Sequence, residues 1–307
     1  MAVATTFDLP NFVGPLFGLT PTETPFLSMI GGLTGGMETR AKEFTWQTYD
    51  LANAAQPAIL EAAVPTSAQR ARSEVSNVVQ IFQYGVDISY TKLAAVDQLG
   101  PSATTVLGNQ PVRNEMDWQL QLKIEQAARD VEYSFLNGAY QLPTDNTTAR
   151  KTRGILAAIS TNAVDAGTAA PLTDTLINTL LRTMFDNGAA FRNPVIFVNS
   201  FQKQALSSIY AYAPESRNVG GVNIQMIETD FAPLGVVLDR HMPAGVLGVF
   251  DVSVCAPRFL AIPGKGHFFT EPMAKTKASD ESQLYGEIGL EYGPETWHGK
   301  IVDLATS

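Results

Sequence analysis

The chain has 307 residues, 45% hydrophobic and 17% charged, enough to bury a sizeable core in one or two domains. Its formal charge of −9 argues against tight binding to duplex DNA, because neutralising phosphates takes a surplus of lysine and arginine. No apolar run approaches the roughly 18 residues of a membrane span, the start lacks the basic and apolar blocks of a secretory signal, and the single cysteine, Cys255, leaves no intrachain disulfide.

Residues 1–21 carry Pro10, Pro15 and Pro21 among Phe7, Phe12, Phe17 and Leu19. Proline interrupts both helices and strand pairing, so the pattern predicts an extended arm whose aromatics need a surface, a neighbouring subunit being one candidate. A short helix follows: Thr24 caps it, Pro25 opens it, Leu27, Met29 and Ile30 fill it, and Gly31-Gly32 stop it. Two strand signals come next, over 43–47 and, with strict alternation, over 82–89. Between them, 51–73 is alanine-rich and broken by Pro57 and Pro65; so long an irregular stretch is usually functional. We read 38–89 as a long two-stranded arm with an irregular tip. An isolated hairpin is marginal in water, so this arm also needs a partner.

The strongest element is an amphipathic helix over 111–137. Pro111 opens it, and Asn137-Gly138 closes it with a residue free to turn left-handed. Met116, Leu120, Ile124, Ala127, Val131 and Phe135 form one apolar stripe, while Glu115, Gln119, Lys123 and Asp130 fall off it. Glu125 stands four residues before Arg129, a favourable pairing. At 1.5 Å per residue the helix is roughly 40 Å long, the length of a strut. An α/β mixture follows. Thr173 caps a helix through Leu176, Leu180 and Met184 that Asn187-Gly188 ends, 194–198 is a buried strand, and Ser200 caps a second helix through Leu206. Strand signals recur at 222–227, 234–238, 246–254 and 259–262. The turn-rich 213–221 reads as an exposed loop. The last alternation places Leu284, Ile288, Leu290 and Tyr292 on one face, with Gly286 marking a bulge.

Catalytic chemistry is hard to find. Pro263-Gly264-Lys265-Gly266 has Phe259 where a phosphate loop needs glycine, and Gly266 where it needs the serine or threonine that holds the metal. Gly31 to Gly36 lacks a preceding strand and reads as a hinge. His241, His267 and His298 are far apart; His267 and Glu271 stand four apart, but Pro272 and the preceding glycines oppose a helix there. No G-x-S-x-G elbow exists, Cys255 reads as a small core residue, and Asn146-Thr147-Thr148 matches a glycosylation triplet without a sign of secretion. Neither a metal nor a cofactor is expected.

The order of parts, an arm, a long hairpin, a strut helix and an α/β domain that returns to the strut, resembles the major capsid protein of tailed bacteriophages, the Hong Kong 97-type fold. The strings that carry the likeness are residues 19–26 (Leu19-Thr20-Pro21-Thr22-Glu23-Thr24-Pro25-Phe26), 44–47 (Phe44-Thr45-Trp46-Gln47), 75–82 and 237–243 (Val237-Leu238-Asp239-Arg240-His241-Met242-Pro243), spread over nearly the whole chain. The resemblance implies an α+β fold with an N-terminal arm (1–37), an E-loop hairpin (38–89), a peripheral domain (90–155) whose spine is the helix 111–137, an axial domain (156–255) and return strands (256–307). It also implies a non-enzymatic shell subunit, forming pentamers and hexamers of an icosahedral head that encloses double-stranded DNA without gripping it. The implied partners are other copies of the chain, a portal, and scaffolding or decoration proteins, with assembly in the bacterial host cytoplasm and no membrane. Phe7, Phe12, Phe17, Trp46, Ile59, Leu60, Arg70 and Arg72 are the residues expected to meet neighbouring subunits. Two features depart from some relatives: 51–73 holds no lysine for covalent welding, Lys42 lying at the hairpin base, and the chain starts directly in the arm, without a charged helical scaffolding segment. An encapsulin-like compartment and an α/β enzyme with an unrecognised site are the alternatives.

Overall fold

The computed structural model describes residues 19–64, 68–97, 115–210, 216–219 and 222–306. Its framework is two sheets, with the long helix Glu115–Asn137 laid between them. The proposed opening of that helix at Pro111 lies outside the described residues. The stripe is buried at its C-terminal end, where Ala127, Val131 and Phe135 are joined by Leu136 and the carboxyl of Glu132. Towards its N-terminal end the same stripe is only partly covered: Met116 and Leu120 are half-buried and Ile124 is 44% exposed. The expected Glu125–Arg129 pair is not formed, and Arg129 Nε is instead buried with no hydrogen-bond partner.

Gly138 does not turn left-handed. It is a contact point: a Cβ there would stand 2.5 Å from Thr152 O, and one on Gly154 would stand 2.5 Å from Gly138 N. Two glycines let the end of the spine helix and the 152–154 segment touch backbone to backbone, sealed by Gly154 N–H donating to Gly138 O at 2.8 Å.

The strands answer to different partners than the sequence suggested. Glu43–Tyr49 pairs antiparallel with Arg72–Val78, Glu43 facing Val78 and Tyr49 facing Arg72. Gln80–Ser89, the stronger alternating signal, pairs instead with Ser279–Glu291. The physical reason is burial. Phe82, Val86 and Ile88 need a covered face, which the sheet beside the spine helix supplies and a protruding hairpin does not. Ser279–Glu291 also holds Phe268–Pro272 and Ala256–Leu260, and Met37–Thr39 adds to the latter in parallel. Gly286 keeps regular register with Phe82 and Phe268 rather than marking a bulge. A Cβ there would strike the Phe268 ring, so the glycine makes room for an aromatic on the neighbouring strand.

The second sheet runs Ala163–Ala170, Gly299–Leu304, Leu247–Asp251, Pro194–Val198, Pro233–Leu238, Val222–Glu228, Ser216–Val219. The last two strands pair antiparallel: Val222–Glu228 is the strand expected over 222–227, whereas Ser216–Val219 lies in the stretch read from sequence as a loop. Pro194–Val198 is central and buried on both faces, which is why it reads as an unbroken apolar run. Val195 and Phe197 face the core shared with the spine helix; Ile196 and Val198 face the core under the helices Asp174–Asp186 and Ser200–Ile209. Thr173 caps the first of these, its hydroxyl accepting from Leu176 N–H. The second is capped by Asn199, one residue before the expected Ser200, its amide oxygen accepting from Gln202 N–H at 3.0 Å.

His298 locks the return of the chain. It is fully buried, accepts from Asp251 N–H at Nδ1 (3.2 Å) and meets Tyr292 O at Nε2 (2.6 Å), a pattern that fits the neutral ring with its proton on Nε2. Burial holds its pKa below the ordinary value. The unfolded chain therefore takes up this proton first as pH falls, and stability present above about pH 6.5 is lost below it. The stability difference between the parent and His298→Gln should shrink as pH falls below about 6.5 in denaturant titrations. An unchanged difference would mean that the ring is already protonated in the fold.

Candidate inter-subunit interface

The hairpin is fixed at its root and bare at its tip. Asn77, completely buried, uses its whole amide there. Nδ2 donates to Leu290 O (2.7 Å) and Arg153 O (3.1 Å), and Oδ1 accepts from Arg153 N–H (2.8 Å) and Val78 N–H (2.9 Å). Val79 N–H donates to Lys42 O at 3.0 Å. Phe44 is buried over Gly289, where a Cβ would meet its ring at 2.8 Å. Trp46 stacks on Phe44, stands edge-on to Tyr292 at 4.9 Å between centroids, and donates from Nε1 to Gly293 O at 3.0 Å. Within this chain Trp46 is thus part of the root.

Beyond the root the hairpin is open among the described residues. Leu51, Ile59, Leu60 and Val64 are 70%, 66%, 84% and 92% exposed. Ala63 N–H donates to Leu60 O at 3.1 Å, closing a turn at the tip. Arg70 is exposed without an ion pair among the described residues, and Arg72 Nη1 donates to Gln47 Oε1 across the hairpin at 3.0 Å. Phe7, Phe12 and Phe17 lie outside the described residues. Sequence reasoning found Ile59 and Leu60 but passed over Leu51 and Val64, whose signal is the same: aliphatic side chains in a stretch with no periodicity to bury them.

A second uncovered apolar surface lies on the body. Ile124 on the spine helix borders a groove of about 690 Å³ with Leu33, Phe268, Phe269 and Leu284. The remaining polar clusters are structural. His267 bonds Glu38 (3.0 Å) while Glu271 bonds Lys265 (2.5 Å), so the i, i+4 pair from the sequence is pulled apart. Pro263 to Gly266 forms a tight turn closed by an Ile262–Gly266 bridge. Cys255 is buried, and burial pushes its thiol pKa up. Among the described residues no three histidine, cysteine, aspartate or glutamate side chains gather as a metal site.

A mixed fold with a spine helix, two sheets and a rooted hairpin that exposes apolar residues defines a shell-forming subunit of the Hong Kong 97 type. Capsid structures share it over the full length. The cyanophage A-1(L) capsid matches with a TM-score of 0.65 at 13% identity, covering 98% of each chain. The capsid of Myoviridae phage XM1 matches at 0.61 and 13%, covering 99% of each. An encapsulin from Synechococcus elongatus PCC 7942 matches at 0.55 and 12%, over 89% of this chain and 86% of that one. A comparison with curated proteins finds no match. The chain belongs to the SU10 major capsid protein family, whose profile matches residues 1–305, and it is a capsid shell subunit of a phage virion.

Proposed function

We propose that the chain closes into pentamers and hexamers of an icosahedral head enclosing double-stranded DNA, assembled in the bacterial host cytoplasm, and that it has no catalytic role. A portal and scaffolding or decoration proteins complete the expected set of partners. The observation that carries this reading is the hairpin: a firm root made by Asn77, Phe44 and Trp46 holds out a tip of Leu51, Ile59, Leu60 and Val64 that stands exposed among the described residues. Tip and groove are different surfaces of one molecule. Seating the tip of one copy on the Ile124–Phe268 groove of the next is a heterologous contact, the kind that propagates into rings and shells. Phe7, Phe12 and Phe17 of the arm and Arg70 and Arg72 of the hairpin extend the same contact. A net charge of −9 suits a wall that must not hold the packaged DNA.

Neighbours are joined without covalent bonds in this proposal, because the tip offers Arg70 and Arg72, and a permanently charged guanidinium is a poor nucleophile. Purified chain viewed by electron microscopy should form rings or closed shells. Boiling the particles in detergent should release one band near 33 kDa. A monodisperse monomer at all concentrations would remove the assembly claim, and a ladder of multimers the non-covalent one. The likeness to an encapsulin supports a second reading, a compartment for cargo protein; particles holding protein rather than nucleic acid would select it.

A further inference from the structure

Two carboxyl groups meet where the chain's first helix enters the body. Glu132 on the spine helix is completely buried, and Asp239, just past the strand Pro233–Leu238, is 1% exposed. Thr24 occupies the capping position of the helix Pro25–Met29 but gives it no side-chain hydrogen bond. Glu132 reaches across instead, Oε1 accepting from Phe26 N–H at 2.8 Å and Oε2 from Leu27 N–H at 2.6 Å. Asp239 Oδ1 accepts from His241 N–H at 2.8 Å, and Asp239 N–H donates to Val198 O at 2.9 Å. Asp239 Oδ2 is buried and receives nothing from any N–H or hydroxyl, although the Glu132 carboxyl stands in hydrogen-bonding contact with Asp239. Two carboxylates cannot bond without a proton between them.

Among the described residues no cation stands in for that proton. Arg240 turns outward to Glu23 at 3.0 Å, the His241 ring meets the edge of Tyr133, and Asp130 accepts from Tyr84 Oη at 2.7 Å. Arg129 is one turn away, its Nε buried without a partner. Among the described residues none of these forms an ion pair with Glu132 or Asp239. The helix Pro25–Met29 and the strands Pro194–Val198 and Pro233–Leu238 carry no titratable side chain.

We propose that Glu132 and Asp239 form a proton-dependent latch, in which one shared proton holds the Pro25–Met29 helix, the spine helix and the sheet of Pro233–Leu238 together. Loss of that proton to solvent leaves two buried anions in contact, and the cheapest relief is to release the short helix that follows residues 1–24. Phe26 makes the release consequential, because its ring stands edge-on to Phe197 at 5.4 Å between centroids, in the core between the sheets. Burial first, then the charge of Asp239 and the hydrogen bond to it, hold the Glu132 carboxyl well above the ordinary glutamate range. The sign follows. A carboxyl harder to ionise when docked favours docking at low pH, and docking weakens as pH rises from the ordinary glutamate range through the docked value.

The test is amide hydrogen exchange on the full chain, corrected for the intrinsic effect of pH, at residues 26–32. Protection should fall by about tenfold per pH unit across that window, the slope of one linked proton. Asp239→Asn keeps an oxygen for His241 N–H and gives Glu132 an amide donor, so it should retain protection and lose the slope. Infrared spectra of the parent should show a carboxyl that stays protonated above the ordinary glutamate range and that both Asp239→Asn and Glu132→Gln remove. Protection independent of pH in the parent, or no carboxyl that stays protonated above the ordinary glutamate range, would overturn the latch. Both readings use the parent chain, so they stand even if a variant fails to fold.

Discussion

Replacing Gly138 by valine should cost about 3 kcal/mol or more, the scale of forcing atoms into a filled core. The Cβ would stand 2.5 Å from Thr152 O and closer still to Ser134 O, and both obstacles are backbone. Neither can step aside as a flexible side chain would. Separating Gly138 from 152–154 also pulls on the hairpin root, because Arg153 N–H and O are two of the four partners of Asn77, and Thr152 Oγ1 accepts from Leu290 N–H. Assembly should therefore suffer together with melting temperature. Gly85→Ala is the control: it lies in the strand Gln80–Ser89, an added Cβ meets nothing within 4 Å, and the change should be neutral or stabilising by about 0.5–1 kcal/mol. Thermal melting of the two variants checks the contrast; equal effects would mean that the spine end is not a tight contact.

The elements that local pattern specifies were legible in the sequence. The helices Asp174–Asp186 and Glu115–Asn137 and the strand Pro194–Val198 emerge from periodicity and caps carried within each segment. Pairing was harder, because it depends on residues two hundred positions apart. Arg72–Val78 offers no apolar alternation, only a polar strand whose first residues are exposed, so the nearest strong strand signal, 82–89, took its place. Ala163–Ala170, made of small and polar residues, escaped for a similar reason. Gly138, Gly154 and Gly286 were visible as glycines, but what they accommodate belongs to other segments. Glu132 was also overlooked. Its signal is a carboxylate between Val131 and Phe135 on the flank of an apolar stripe, where a solvated charge has no room. Of the interface, sequence showed which residues lacked a partner. That the same hairpin is anchored by Asn77 required the structure.

Ile59→Asp combined with Leu60→Asp should leave the fold intact and abolish shells. Both side chains are largely exposed, so neither substitution opens a cavity, and surface changes of this kind usually stay within about 0.5 kcal/mol. Across a subunit contact the balance reverses. Burying each aliphatic side chain contributes about 1.5–3 kcal/mol, and an aspartate carried into the same groove must be desolvated without a partner. Every copy in a closed shell presents one tip, so the loss is multiplied by the number of contacts. The partner surface can be tested separately. Ile124→Asp, on the 44% exposed part of the spine helix, should block assembly from the groove side while leaving the melting temperature near that of the parent. Sedimentation and electron microscopy read the outcome, with melting curves confirming that each variant is folded. Shells of normal size and heat stability from the tip double variant would show that the exposed apolar tip does not hold neighbours together. Shells from Ile124→Asp alone would move the tip's seat to another part of the neighbouring subunit.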